Sequence, residues 1–412
     1  MKSLEQLFLN DNQLEGGIPK SLGDICTLRN TLRKLYLSSN NLNGQVLDFF
    51  HNLQGCAKDS LEGLHLGRNQ IAGFDWFPPF QLIDLYLRSC KLGPDFPNWI
   101  RTQRNLIFLD LSNTGISNTI PTWSWHMPFE LNYLNLSRNQ IKGRLPNASS
   151  IFSDLAILDL SSNRFEGPLP VISSNLSSLN LSKNKLSGIS GTIPQCLDNL
   201  IAMAHKISNA MTNKYFIWNG LEYSFYTDYG SYSGNSVHII VGWKGNVYEY
   251  GKNFGEMRSI DLANNKLTRN IPEGISNLIE LKALNLLGNT LTGIIPKNIG
   301  KLEQLESLDL SRNRFSGSLP ASMNSNRNSA PVLRPSKFMG NAGFCGPPLI
   351  EKSPKDLKSN IGGSKSHQED PDEFWNCLYV TSGDLRPLVW CRIILADMYA
   401  RRNLYVYKLG LG

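Results

Sequence analysis

Apolar and polar residues alternate in a fixed order through most of this chain, and leucine occupies most of the apolar positions. Each occurrence reads Leu-x-x-Leu-x-Leu-x-x-Asn, where x is mostly polar, and eleven occurrences can be aligned. We number these units 1 to 11, and they begin at Leu4, Leu32, Leu61, Leu82, Leu106, Leu131, Leu155, Leu176, Met257, Leu281 and Leu305. The alternation inside each unit predicts a short strand with one buried face.

The spacing of the units predicts a stack. Units 9, 10 and 11 begin 24 residues apart, a period found in repeat architectures. One unit cannot bury its own apolar face, so its neighbours must supply the core. We therefore expect Leu305, Leu308 and Leu310 to point inward against the same positions next door. The predicted fold is an α/β-type solenoid with a parallel strand ladder on its concave face.

The residue that closes each unit has a predicted structural role. Its amide can hydrogen-bond the backbone groups that the bend after the strand leaves unpaired. Nine units have asparagine here: Asn12, Asn40, Asn69, Asn139, Asn163, Asn184, Asn265, Asn289 and Asn313. Cys90 and Thr114 occupy the position in units 4 and 5, and we interpret Cys90 as a buried structural thiol.

The motif that follows the asparagine identifies a family resemblance. Leu-x-Gly-x-Ile-Pro recurs after most strands and resembles the plant-specific leucine-rich repeat of cell-surface receptors. The later motifs resemble plant receptor-like proteins, which have such an ectodomain, one membrane helix and no kinase domain. These motifs are, in order, GTIPQCLDNLIAMA, an interruption, IDLANNKLTRNIPEGISNLIEL, FMGNAGFCGPPL and the acidic QEDPDEF. The resemblance covers residues 1–350 and the acidic stretch near residue 370.

The resemblance implies a leucine-rich-repeat horseshoe or superhelix interrupted by a non-repeat island. It also implies a ligand-recognition ectodomain at the extracellular face of the plasma membrane. Such a protein binds an extracellular peptide or microbial molecule and signals through co-receptor kinases in defence or development. Two alternatives remain open: a secreted inhibitor of microbial cell-wall-degrading enzymes, and a non-functional remnant. The island and the acidic stretch favour the receptor, because such inhibitors are shorter and uninterrupted.

Five segments are predicted along the chain. They are units 1–8 without an N-terminal cap (1–196), the island (197–255), units 9–11 (256–320), a degenerate C-terminal cap (321–350), and an acidic stub with a disordered tail (351–412). We recognise neither a signal peptide nor an apolar stretch long enough to span a bilayer. We therefore expect no membrane insertion by this chain as written.

The island is rich in tyrosine and tryptophan, which are frequent at interfaces. In the family this segment is associated with ligand recognition or with positioning the co-receptor. Tyr226, Tyr229 and Trp243 are the candidate anchors, and each ring either contacts ligand or packs against the solenoid. The stretches VHIIVGW and VYEY alternate as the two strands of a hairpin do.

The strands after the island supply the other candidate ligand-binding residues. They alternate with the inward leucines and must face outward: Arg258, Asp261, Lys282, Asn285, Glu306 and Asp309. Arg258, Lys282 and Glu306 occupy one equivalent position in successive units, which predicts a charged column. Acidic residues also recur between the second and third leucines, as at Asp110 and Asp159. We interpret them as solvated concave-face residues rather than acid–base pairs.

The charge and the remaining motifs argue against several classes of function. The net charge of +7 comes from 41 basic and 34 acidic residues without a dense basic run, which indicates no nucleic-acid partner. GNVYEYGKN has five residues between its glycines, whereas a phosphate-binding loop needs four. The six histidines lack metal-ligand spacing. We predict a protein that is not an enzyme and has no cofactor and no metal.

Modification sites complete the prediction. Four Asn-x-Ser sequons predict glycosylation at Asn135, Asn147, Asn175 and Asn180, and the first and last also fit the plain repeat pattern. Seven cysteines leave at least one thiol unpaired within the chain. Cys26 and Cys56 fall at similar places in units 1 and 2, so a disulfide and two buried thiols both remain open. A disulfide requires Cα atoms within about 7 Å.

Overall fold

The structure is a computed structural model. It describes residues 5–17, 32–45, 48, 61–72, 77–78, 80–125, 131–146, 155–171, 173–187, 197, 200–205, 257–323 and 334–345, and the backbone of five strands between 215 and 250. The chain divides into 1–350 and 351–412, and the predicted acidic stub and tail fall in the second part, outside the described residues. Cys26, Cys56, Asn147 and Tyr229 also lie outside them.

The described residues form one eleven-stranded sheet that takes one strand from each unit in unit order. Its strands are Gln6–Phe8, Lys34–Tyr36, Gly63–His65, Asp84–Tyr86, Phe108–Asp110, Tyr133–Asn135, Ile157–Asp159, Ser178–Asn180, Ser259–Asp261, Ala283–Asn285 and Ser307–Asp309. Neighbouring strands are parallel, and equivalent residues are paired, as Leu284 is with Leu308. The predicted parallel ladder is confirmed.

The inward leucines form one continuous core along the stack. Leu284 and Leu308 are 2% and 1% exposed, and one hydrophobic cluster extends from Leu35 to Phe344. Each leucine contacts its equivalents in adjacent units because the strand alternation directs them all to one side. Stability therefore comes from the stack rather than from any single unit.

The closing residue behaves as predicted. In unit 7, the Nδ2 of Asn163 donates to the carbonyls of Leu136 (2.8 Å) and Leu160 (3.1 Å), while its Oδ1 accepts from the backbone of Ile141 (3.0 Å). In unit 4, Cys90 takes this position with its Sγ 3.4 Å from the carbonyl oxygen of Leu66. Burial raises the pKa of the Cys90 thiol to about 12, so the predicted structural thiol is confirmed.

After the asparagine, the chain forms short parallel strands on a lateral face and then returns to the next unit through 3-10 helices. The lateral strands are Glu15–Gly16, Asn41–Gln45, Gln70–Ala72, Lys142–Arg144, Arg164–Gly167, Lys185–Leu186, Thr268–Arg269, Thr290–Gly293, Arg314–Ser318 and Gly343–Cys345. The 3-10 helices are Asn98–Thr102, Thr122–Trp125, Glu273–Asn277, Ile299–Lys301, Ala321–Met323 and Pro335–Lys337.

The island leaves the stack between units 8 and 9. Its described backbone forms a three-stranded antiparallel sheet and a hairpin. The sheet strands are Tyr215–Trp218, Tyr223–Thr227 and Gly230–Gly234, and the hairpin strands are Ile239–Trp243 and Asn246–Tyr250. The hairpin was predicted from the alternation, whereas the sheet was not. Before the island, a short α-helix spans Ile201–Ala204.

The first residues that we assigned to the island belong to the solenoid. Leu197, Leu200 and Met203 are 3%, 0% and 0% exposed and lie in the hydrophobic core. They are the buried apolar residues of the segment that leads from unit 8 back toward unit 9. Our boundary at residue 197 is therefore too early, and the described solenoid continues through His205.

The segment 334–345 adds a partial twelfth unit. Asn341 donates to the carbonyls of Leu310 (3.0 Å) and Phe338 (2.8 Å), as the closing asparagines do in other units. The strand Gly343–Cys345 pairs in parallel with the lateral strand of unit 11. The segment that we interpreted as a degenerate cap therefore continues the stack.

Candidate functional site

One column of side chains crosses the whole concave face. It consists of the residue between the second and third leucine positions of each unit, and we call it the central column. In unit order its members are Phe8, Tyr36, His65, Tyr86, Asp110, Asn135, Asp159, Asn180, Asp261, Asn285 and Asp309. Four aromatic rings are thus followed by seven alternating Asp and Asn residues. Lys337 of the twelfth unit continues the column, because its carbonyl accepts the backbone N–H of Leu310 at 2.9 Å.

The aromatic half of the column is a stack of rings. Ring centroids are separated by 4.4 Å between Phe8 and Tyr36, 4.4 Å between Tyr36 and His65, and 4.3 Å between His65 and Tyr86. These separations are close to the spacing of adjacent strands, so each ring covers the next. Burial raises the pKa of Tyr36 to about 12. Sequence reasoning missed this stack, although the shared position in successive units was a signal for it.

The acid–amide half of the column is buried in units 5–8 and half-buried in units 9–11, and its side chains hydrogen-bond one another and the backbone. The Oδ1 of Asp159 accepts from the backbone of Ser161 (2.9 Å), and its Oδ2 accepts from the Nδ2 of Asn180 (3.3 Å). Asp110 and Asp159 are only 2% and 6% exposed, so our interpretation of them as solvated is wrong. Burial, together with the smaller effects of the Asp261 and Asp110 carboxylates, raises the pKa of Asp159 to about 6.

A groove of about 70 Å³ crosses units 9–11 on the concave face. Its sides are the small residues Ser259, Ala283 and Ser307 and the central column from Asp261 to Lys337. Within the column, Asn285 donates to the Oδ2 of Asp261 at 3.1 Å. The Nζ of Lys337 lies 2.7 Å from the Oδ2 of Asp309 and closes the end of the groove. The groove brings together Asp261, Asn285 and Asp309, and sequence reasoning missed Lys337.

The predicted charged column does not line this groove. The guanidinium of Arg258 donates to the carbonyls of Ala202 and Met257, each at 2.8 Å. Arg258 therefore fastens the helix before the island to unit 9. Lys282 is half-buried and Glu306 is exposed, and both lie outside the lining.

The island candidates are placed only by their backbone. Tyr226 lies on the strand Tyr223–Thr227, paired with Ser231, and Trp243 ends the first hairpin strand, paired with Asn246. Whether their rings contact ligand or the solenoid stays a prediction.

The sequons differ in accessibility. Asn135 is 1% exposed and donates to the hydroxyl of Tyr133 (3.0 Å), and Asn180 is 6% exposed with its amide on Asp159. A glycan on either nitrogen would have to break the central column, so the folded geometry argues against both. Asn175 is exposed, and glycosylation there stays a prediction.

Two further observations concern the described part of the chain. No group of three or more potential metal ligands is assembled there. It also contains no helix with the length and apolarity needed to cross a bilayer.

Comparison with known proteins agrees with this geometry. The family "Leucine Rich Repeat" matches residues 3–25, 31–53, 105–127, 130–150, 154–176 and 175–200, and "Leucine rich repeat" matches 255–315. Receptor-like protein EIX2 of Solanum lycopersicum is 40% identical over 116 residues, which are 27% of this chain and 11% of that protein. Receptor-like protein 34 of Arabidopsis thaliana is 34% identical over 246 residues, 59% of this chain and 22% of that protein.

The chain is similar in sequence to plant leucine-rich-repeat receptor-like proteins. It matches a minor part of the length of these relatives. Among solved structures, PEPR1–AtPEP1 aligns with a TM-score of 0.54 at 23% identity, covering 78% of this chain and 40% of that one. A TDR receptor aligns with a TM-score of 0.54 at 21% identity, covering 83% of this chain and 56% of that one. These two structures share the fold of this chain.

Proposed function

We propose that this chain is the ligand-recognition part of a receptor-like protein ectodomain at the extracellular face of the plasma membrane. The observation that carries the proposal is the groove across units 9–11, directly after the island. Its small side chains leave room above three successive strands, and its polar side chains offer both donors and acceptors. A concave groove with converging polar groups is typical of a ligand-binding site.

The proposed ligand is an extracellular peptide or microbial molecule held between the groove and the island. Asp261, Asn285 and Asp309 would contact its polar groups from below. Tyr226, Tyr229 and Trp243 would contact it from the island, because buried aromatic anchors carry much of the energy of many interfaces. Lys282 and Glu306 would contact it only at the edge of the groove, and Arg258 would act indirectly through the helix it holds.

Signalling through co-receptor kinases, in defence or development, is the remaining part of the proposal. It rests on the names of the relatives, which are receptor-like proteins. Because the chain matches only part of their length, the membrane attachment and the kinase partners are assigned to the complete receptor.

The proposal is tested with a displayed library of random 20-residue peptides selected on the full chain. Ser307→Arg fills the groove with a long cationic side chain, whereas Thr292→Arg makes the same charge change on the exposed lateral face. We expect selected peptides to lose at least tenfold in affinity for Ser307→Arg and to bind Thr292→Arg as they bind the unaltered chain. Equal affinity for both variants, with both folded, would reject the groove as the ligand site.

A further inference from the structure

Positive charge is concentrated on the lateral face of units 6–11. We call this set of residues the basic flank: Lys142, Arg144, Arg164, Lys185, Lys266 and Arg314. All six are exposed, and Glu166 is the acidic residue that the described lateral strands of these units place among them. On the concave face of units 9–11, the central column instead carries Asp261 and Asp309.

The lateral strands of units 6–8 set the spacing of the charged side chains. Lys142 is the direct strand partner of Arg164, whereas Glu166 is the partner of both Arg144 and Lys185, and paired strands lie about 4.8 Å apart. The side chain of Arg144 extends over the next strand, since a Cβ at Gly167 would lie 3.0 Å from its Cγ. Within the described residues, none of the six forms an ion pair.

The paired cations Lys142 and Arg164 repel each other, and an anionic partner would lower this electrostatic cost. Like charges closer than the Debye length of about 8 Å at physiological salt repel each other. A partner with many negative charges lowers this repulsion and also releases its own counterions on binding. The flank takes its residues from units 6, 7, 8, 9 and 11, so the partner must be extended as well.

The composition of the flank favours a carbohydrate over a protein. A protein interface normally has an apolar centre, whereas among the described residues beside the flank Ile294 is the one large exposed apolar side chain. Between the basic residues lie hydroxyl side chains, including Thr292 and Ser316. Exposed hydroxyls and cations complement a chain of sugar rings that each carry hydroxyl groups and a carboxylate.

We propose that the basic flank of units 6–11 binds a linear acidic polysaccharide, a polymer of uronic acids. The binding is electrostatic, uses the face beside the ligand groove rather than the groove itself, and is independent of the proposed peptide site. It would hold the ectodomain against a polyanionic matrix.

The test uses the full chain and a polygalacturonate oligomer as the probe. The variant Arg164→Gln/Lys185→Gln/Lys266→Gln removes three charges from the flank. Arg104→Gln/Lys297→Gln/Lys301→Gln removes three exposed charges outside the lateral strands and is the matched control. Thermal unfolding checks that both variants are folded.

We expect the unaltered chain and the control to bind the oligomer, and the flank variant to lose at least tenfold in affinity. The slope of log affinity against log salt should fall by about 2 for three lost contacts. The fully methyl-esterified oligomer, which lacks the charges, should not bind. Absent binding by the unaltered chain, equal losses in both variants, or equal binding of the esterified oligomer would overturn the proposal. Flank-dependent binding of a polyglutamate peptide at least as tight as the oligomer would also overturn it, in favour of an acidic peptide.

Discussion

Ser178 and Ser259 are 81 residues apart in sequence, yet their Oγ atoms lie 2.8 Å apart on the concave face. Their strands pair in the same register as the rest of the ladder, with Leu179 beside Ile260. The closing asparagine of unit 9 also reaches back across the junction, since Asn265 donates to the carbonyl of Leu181 at 3.0 Å. The core of the solenoid is therefore continuous across the insertion.

Deletion of the island should leave the solenoid folded. Arg258 bonds the carbonyl of Ala202 at 2.8 Å, so the two ends of the island lie side by side and a short glycine–serine linker can replace 206–255. We expect one cooperative thermal transition, with the free energy of unfolding changed by at most about 1 kcal/mol, because a shorter loop has a slightly smaller closure entropy. Circular dichroism during heating measures this.

A longer deletion provides the control. Removing 197–255 also removes Leu200 and Met203, which are fully buried, and should lower the stability by several kcal/mol because cavities replace them. If the shorter deletion lowers the stability as much as the longer one does, the island is part of the folding core and the continuity of the ladder is not sufficient.

The closing asparagines should be among the most sensitive positions of the chain. Asn163→Ala removes the donor to the carbonyls of Leu136 and Leu160 and the acceptor for Ile141. Each buried group left unpaired costs about 1–3 kcal/mol, so we expect a loss of about 3 kcal/mol or more in urea unfolding. Gln140→Ala, on an exposed side chain of unit 6, should change stability by less than about 0.5 kcal/mol.

The same reasoning applies in reverse to Cys90. Cys90→Asn places the amide where the other units have it, so it should be tolerated and should retain the cooperative transition. A loss as large as that of Asn163→Ala would mean that unit 4 has adapted its backbone to the smaller thiol.

The ladder could be predicted from sequence because its information is local and repeated. Leu308 is buried because it alternates with polar neighbours, and the same alternation in every unit fixes the same face. The hydrogen bonds of Asn163 followed from the same pattern, since the bend after the strand always leaves the same groups unpaired.

The central column could not be predicted in the same way. Within unit 7 alone, Asp159 looks like a surface residue; its burial comes from Asn180 and Asn135 in the adjacent units. Arg258 looked like a surface charge for the same reason, since its acceptor, Ala202, lies in unit 8 beyond the recognisable leucine pattern. The twelfth unit was missed because Phe338 replaces leucine, although Gly340-Asn341 repeats the Gly-Asn of unit 10.

Lys34 and Asp84 form a buried ion pair across unit 3, and breaking it from one side should be costly. The Nζ of Lys34 lies 2.8 Å from the Oδ2 of Asp84, and the side chains are only 11% and 4% exposed. Gly63 lies between them, and a Cβ there would be 3.0 Å from the Cγ of Lys34. Lys34→Met leaves a buried carboxylate without its cation, so we expect a loss of about 3 kcal/mol in chemical denaturation.

The adjacent residue offers a matched control. Arg33 pairs with Glu62 at 3.1 Å, but the side chain of Arg33 is 57% exposed, so Arg33→Met should cost less than about 1 kcal/mol. The double variant Lys34→Met/Asp84→Leu should recover much of the loss, because neither charge is then left unpaired. No recovery would indicate that Lys34 matters through packing of its methylene groups rather than through charge.

The buried carboxylate of Asp159 should make the protein less stable as the pH rises from about 4 to about 6. Burial raises the pKa of Asp159 from 3.8 to about 6 in the folded chain, so in this window the folded state binds more protons than the unfolded state. The free energy of unfolding then falls with rising pH, by at most about 3 kcal/mol for a shift of this size. Asp110 and Asp261 are shifted in the same direction by burial and add to the slope.

Asp159→Asn isolates this contribution, since asparagine already fills the equivalent position in units 6 and 8. The unfolding free energy of the unaltered chain minus that of the variant should decrease as the pH rises from about 4 to about 6. It should become constant above about pH 7. Urea unfolding at half-unit pH steps measures it, with Asp11→Asn at an exposed turn as the control for charge removal. An increase of this same quantity (unaltered minus variant) with pH would mean that the hydrogen bonds from Ser161 and Asn180 stabilise the carboxylate more than burial destabilises it.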